Sequence, residues 1–137
     1  MVIDTSALLA IFLAEPERQG FLERILQAET RLISAATVFE TGIVLEARRG
    51  EAAGREFDLF VVRVNLQIVP VDAELIEIAR SAWRKYGKGR HPAALNFGDC
   101  FSYALAKSLG EPLLAKGGDF AQTDVEQGAA RNGNLDM

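Results

Sequence analysis

The chain opens on two apolar residues, Val2-Ile3, stopped by the polar trio Asp4-Thr5-Ser6, and then runs apolar from Ala7 to Leu13 without period-two alternation. That pattern predicts a short strand, a polar turn and a helix. Pro16 is placed to open a second helix, on which Leu22, Ile25 and Leu26 recur at helical spacing. Arg31 to Ala35 predicts a second strand. Ser34 or Thr37 is the candidate cap for a helix reaching Arg49, with Arg48-Arg49 at the negative end of its dipole and Gly50 just past it. Phe57, Phe60, Val61 and Val64 mark a further helix over 51–64. Leu66 to Val71 predicts a third strand, at an edge or ending at Pro70. Asp72 is placed to cap a helix bearing Leu75, Ile76, Ala79 and Trp83 on one face, a spacing that puts Trp83 in the core. Gly87-Lys88-Gly89 ends that helix, and 88–96 reads as a loop. Asp99 is then expected to open a helix running to Leu109 and closed by Gly110. Pro112 to Ala115 predicts a fourth strand, and Asp124 to Gln127 a weaker fifth. The Gly- and Asn-rich residues 128–137 are expected to form a flexible C-terminal tail beyond a single domain of residues 1–127.

Strands alternating with helices give the fold class α/β, with a central, mostly parallel sheet of four to five strands flanked by helices. At 137 residues, 49% hydrophobic and 25% charged, the chain has the composition of an ordinary globular domain with enough apolar surface for one core. One cysteine, Cys100, excludes an intrachain disulfide and a multi-cysteine zinc cluster. One histidine, His91, excludes two-histidine metal motifs. No apolar run approaches the ~20 residues of a membrane span, and Met1-Val2-Ile3-Asp4 lacks the basic start of a signal peptide. A cytoplasmic location follows as the expectation. The formal charge of −4 argues against a protein that coats nucleic acid through its overall charge.

The chemistry lies in the acids. In parallel α/β folds ligands gather beyond the carboxyl ends of the strands. Asp4 falls at the end of the first strand, Asp119 just after the fourth, and Asp99 at the start of a helix beside them. Glu40 lies on a semi-apolar helix face between Phe39 and Ile43-Val44, where a carboxylate is costly to desolvate without a cation. Oxygen donors without His or Cys select hard cations, Mg2+ or Mn2+. Such ions can activate water and steady a leaving oxygen in phosphodiester hydrolysis. Taken singly, Asp4 and Asp99 also read as helix caps and Asp119 as a turn residue. Asp124 is a second candidate for the fourth acid, and spacing leaves that choice open.

Between Glu77 and Asp99 there is no acidic residue, whereas Arg80, Arg84, Lys85, Lys88, Arg90 and His91 fall there with Trp83, Tyr86 and Phe97 nearby. This basic stretch is suited to an RNA substrate, with Arg84, Lys85, Lys88 and Arg90 as candidate backbone-binding residues and aromatics to stack on unpaired bases. A solvated helix face is the simpler account of the same residues. Cys100 has no partner that would make it a nucleophile.

At these residues the chain resembles the PIN-domain ribonucleases, specifically the VapC toxins of bacterial toxin–antitoxin pairs. Met1-Val2-Ile3-Asp4-Thr5-Ser6-Ala7 looks like the family's first motif, and Glu40 stands in the helix of the second. The run from Leu95-Asn96-Phe97-Gly98-Asp99 to Ala106 is similar to the third, and Leu113 to Phe120 with Thr123-Asp124 to the fourth. The resemblance implies a PIN-like fold and an endoribonuclease toxin using Mg2+ (or Mn2+) on Asp4, Glu40, Asp99 and Asp119. It further implies a homodimer and a VapB-like antitoxin that covers the active site. The chain departs from the family at the fourth motif, with Gly-Gly-Asp where Gly-Asn-Asp is more usual. Two other readings stand beside it: a non-catalytic receiver-like regulator, against which Thr5-Ser6 replaces the usual second acid, and a PIN-like scaffold that binds RNA without cutting it.

Overall fold

In the chain's computed structural model, which describes residues 1–128, four short parallel strands are threaded between helices. In order they are β1 (Val2–Ile3), α1 (Thr5–Phe12), α2 (Arg18–Gln27), β2 (Leu32–Ser34), α3 (Ala35–Arg49), α4 (Glu51–Arg63), β3 (Gln67–Val69), α5 (Ala73–Tyr86), α6 (Phe97–Leu109) and β4 (Leu113–Leu114). A 3-10 turn follows at Phe120–Gln122.

The spatial order is β3-β2-β1-β4, so the first strand is central. Val2 pairs with Leu32 on one side and Leu113 on the other, and Ile3 with Leu114. A flavodoxin- or receiver-like sheet would instead place β1 between β2 and β3, which removes the receiver-like reading. Successive strand residues point to opposite faces, and the core divides accordingly. Val2, Leu32 and Leu113 pack with α5 and α6 side chains such as Ala82, Tyr86 and Leu105. Ile3, Ile33 and Leu114 pack with α1, α2 and α4 side chains such as Leu8, Ile25 and Phe57. Ile3, Ile33, Leu113 and Leu114 have no exposed surface. Each such side chain contributes about 1.5–3 kcal/mol by burial, so two-sided packing holds strands too short to be stable through their ladders alone.

Several boundaries depart from the sequence reading. Pro16 precedes α2 by two residues, and Glu17 is the cap position. Ser34, not Thr37, caps α3, its hydroxyl accepting from the Ala36 N–H at 3.2 Å; Thr37 is buried instead. The helix expected to open at Asp99 begins at Phe97, because Asn96 caps it and Asp99 closes a capping box from its third position. The fifth strand is reduced to a single bridge, Leu113 to Gln127. Trp83 is 46% exposed rather than core, because Ala79, Ala82 and Tyr86 are the α5 residues that face the sheet. The tail expected at 128–137 lies, except for Gly128, outside the described residues.

Candidate active site

Asp4 is where β1 ends and α1 begins. Its backbone N–H still donates to the Leu114 carbonyl of β4 at 2.9 Å, while its side chain caps α1. One carboxylate oxygen, Oδ2, accepts from the Ser6 N–H at 3.0 Å and the Ser6 hydroxyl at 2.7 Å. The other, Oδ1, accepts from the Ser102 hydroxyl of α6 at 2.6 Å. Asp4 is 2% exposed, and among the described residues no cation pairs with it. A buried carboxylate held only by neutral donors has no counter-charge beside it.

Glu40 approaches from the second turn of α3. Its Oε1 accepts from the Thr5 hydroxyl at 2.5 Å, and Thr5 in turn accepts from the Thr41 hydroxyl at 3.4 Å. The carboxylate lies against Gly98 so closely that a methyl group there would overlap both its oxygens. Gly98 is therefore required by close approach of α3 and α6 at this point, not by its backbone angles.

Asp99 follows Gly98 directly. It accepts from the Asn96 N–H at 3.0 Å and donates its own N–H to the Asn96 side chain at 2.9 Å. Its carboxyl is pushed up from 3.8 to about 6, mainly by burial, partly opposed by the Asn96 N–H, and further raised by the negative charges of Asp4, Glu40 and Asp119. These four acids thus share one electrostatic field although they come from β1, α3, α6 and the loop after β4. Capping and ligation were rival readings of Asp4 and Asp99; capping leaves a carboxylate lone pair unused at each.

Asp119 and Asp124 separate clearly. Asp119 is exposed and contributes to the field at Asp99. Its loop is tied to Asp4 through Ser6, whose oxygen accepts from the Lys116 N–H at 2.9 Å. Asp124 is engaged elsewhere: it pairs with Lys107 at 2.7 Å and accepts from the Tyr103 hydroxyl at 2.5 Å, which lower its pKa against the opposing effect of burial.

Carboxylate and hydroxyl oxygens make up the donor set, which fits a hard divalent cation. Among the described residues no three acid, histidine or cysteine side chains close to the separations at which they share an ion. Repulsion between carboxylates opposes such closure until a cation offsets it.

Arg84, Lys85, Lys88 and Arg90 are all exposed, and among the described residues none contacts the acids. Arg90 lies over the Trp83 ring at 4.3 Å and Lys85 over Tyr86 at 5.2 Å. Arg80 and Lys88 edge an apolar groove with Trp83 and Phe97. Phe97 and Phe101 separate it from a second groove containing Phe39, Ile43 and Glu40. Arg84 and Lys85 occupy the last turn of α5. His91 accepts from the Ala93 N–H through Nδ1 at 3.0 Å and meets the Tyr86 ring edge-on, so it shapes the loop before α6.

The sequence model of the PIN domain matches residues 1–126. The chain belongs to the PIN domain family. Ribonuclease VapC of Mycolicibacterium smegmatis is 53% identical to it over 125 residues, covering 91% of this chain and 97% of the relative. Ribonuclease VapC30 of Mycobacterium tuberculosis is 52% identical over 125 residues, covering 91% and 95%. Among solved structures, Mycobacterium tuberculosis VapC20, described as a Sarcin-Ricin loop cleaving toxin, superposes with a TM-score of 0.73 at 21% identity, covering 90% of this chain and 95% of that one. No helix of this PIN domain protein is long and apolar enough to cross a membrane among the described residues.

Sequence reading missed the hydroxyls around the acids: Ser102, Thr37 and Thr41. For Ser102 a signal existed. It lies three residues after Asp99, hence on the same helix face, in an otherwise small and apolar stretch.

Proposed function

We propose that this chain is a divalent-cation-dependent endoribonuclease, the toxin of a toxin–antitoxin pair, hydrolysing RNA phosphodiester bonds at Asp4, Glu40, Asp99 and Asp119. The observation that carries this is the shared field of the four acids at Asp99, in a chain half identical to relatives named ribonucleases. Mg2+ or Mn2+ is the cation suited to these oxygens, and when bound it supplies an activated water and charge neutralisation at the phosphate.

The protein's own part is positioning. Ser6 and Ser102 fix the Asp4 carboxylate, Thr5 fixes Glu40, and the Asn96 N–H fixes Asp99. Asp99, whose carboxyl is pushed up to about 6 chiefly by burial, would hold the cation in its carboxylate form. Asp119 is favoured over Asp124 as the fourth acid because Asp124 is committed to Lys107 and Tyr103. Lys88, Arg90, Arg84 and Lys85 supply cations for the RNA backbone, and of these Lys88 is best supported because it edges the groove beside Phe97.

The antitoxin implied is VapB-like, and the setting a cytoplasm where RNA is at hand. A homodimer is supported by the exposed apolar side chains Phe39, Ile43, Ile76, Trp83 and Phe97. Exposed apolar side chains gathered on neighbouring helices are a surface that a protein partner would cover.

The test is cleavage of single-stranded RNA by the purified protein. Cutting with Mg2+ or Mn2+ that stops in EDTA, and is absent in Asp4→Asn and Asp99→Asn, is expected. Undiminished cutting by both variants contradicts the assignment.

A further inference from the structure

Ser102 is a polar residue in a helix segment that is otherwise core. Its neighbours Tyr103, Ala104, Leu105 and Ala106 are all buried, and Ser102 itself has no exposed surface. A hydroxyl there is costly unless it is hydrogen-bonded. Its proton goes to Asp4 Oδ1 at 2.6 Å. A hydroxyl has one proton, so the 3.4 Å contact with Thr37 must have Thr37 as donor. The chain of donation therefore runs from α3, through α6, to the acid at the end of β1.

Its effect on Asp4 follows from counting lone pairs. A carboxylate has about four acceptor positions, two on each oxygen. The Ser6 N–H and hydroxyl take those on Oδ2, and Ser102 takes one on Oδ1. A single position is left, on Oδ1. Without Ser102 that oxygen is free to rotate away, because Ser6 alone grips the other.

Resting on the reading of the acid centre as a cation site, we propose that Ser102 is a positioning residue that holds Asp4 with Oδ1 presented to a divalent cation. Thr37 orients the Ser102 hydroxyl by using its acceptor side. Because both donors are neutral, they fix the carboxylate without neutralising it, as a lysine or arginine in the same place would. Asp99 and Ser102 lie on the same face of α6, so this helix contributes one acid and aims another.

The test is Mn2+ binding by the full chain, read by calorimetry in the absence of RNA, for the wild type, Ser102→Ala, Thr37→Val and Asp4→Asn. Ser102→Ala is expected to weaken Mn2+ about 10- to 100-fold, with the far-UV spectrum unchanged, and Thr37→Val to weaken it less. If Ser102→Ala fails to fold, Ser102→Cys, nearly the same size but a poor donor, is expected to give the same loss. Wild-type affinity in the folded serine variant alongside loss in Asp4→Asn overturns the role of Ser102 and leaves the cation site standing. Wild-type affinity in Asp4→Asn as well overturns the cation site itself.

Discussion

Gly98 and Glu40 are in such close contact that no side chain fits between them: a Cβ built on Gly98 comes within 2.6 Å of Glu40 Cδ and closer still to both carboxylate oxygens. The glycine has ordinary helical geometry, so its absent methyl group is what allows α6 to lie against the Glu40 carboxylate. This gives a sharp expectation. Alanine is favoured over glycine in a helix by about 1 kcal/mol, and the group it displaces is the far end of a flexible side chain. Gly98→Ala should therefore leave the urea midpoint near or above wild type while breaking the Thr5–Glu40 bond and lowering RNA cleavage at least about 10-fold. Loss of stability with retained specific activity would mean that Glu40 is not needed where it stands.

Asp99 sets the pH response of the metal-free protein. Its folded pKa is raised from 3.8 to about 6, chiefly by burial, so folding favours the protonated form. The contribution of this group is therefore full below 3.8 and is lost as pH rises through about 6. Asp99→Asn has no such dependence. Urea unfolding in EDTA should show the variant gaining on the wild type as pH rises from about 3.8 to about 6, with the difference levelling off above that. A constant difference would show that Asp99 titrates normally.

The two candidates for the fourth acid give opposite expectations. Asp119→Asn should slow cleavage and weaken cation binding, since Asp119 shares the field at Asp99. Asp124→Asn should leave cleavage near wild type and lower thermal stability instead, because it removes the partner of Lys107 and Tyr103. Parallel cleavage assays and thermal melts of the two variants decide between them.

The apolar face across α3, α5 and the start of α6 gives a prediction about assembly. Ile76 is 41% exposed within the chain, so Ile76→Glu should have little effect on its fold. In a homodimer built on that face the same change buries a charge. Light scattering should find the wild type dimeric and the variant shifted to monomer. A dimer unaffected by the change would place the interface elsewhere.

The strand–helix order was legible because the strands are bounded by polar or turn residues, as at Ile3-Asp4 and Val69-Pro70, and the helices carry their own stop signals, Gly50 and Gly110. The misplaced features are local contests between similar residues. Asn96 and Asp99 both cap well, and only the backbone decides that Asn96 is the cap and Asp99 its reciprocal partner. Trp83 has core spacing, but the sheet-facing side of α5 is taken by the smaller Ala79 and Ala82 and by Tyr86. Gln127 makes only an isolated parallel bridge, to Leu113. At the site, placement in the sequence offered the acids as candidates and the spacing from Asp99 hinted at Ser102, but nothing in the sequence marked Thr37 or Gly98. Their contacts join residues of different helices, 65 positions apart for Thr37 and Ser102, and local spacing does not name the partner.

The most direct measurement is the anomalous scattering of Mn2+ in crystals of the metal-loaded protein. A peak bounded by the carboxylates of Asp4, Glu40 and Asp99, lost in Asp4→Asn crystals, is the predicted result. Mn2+ bound only at other surfaces, with those three carboxylates holding none, would contradict the account.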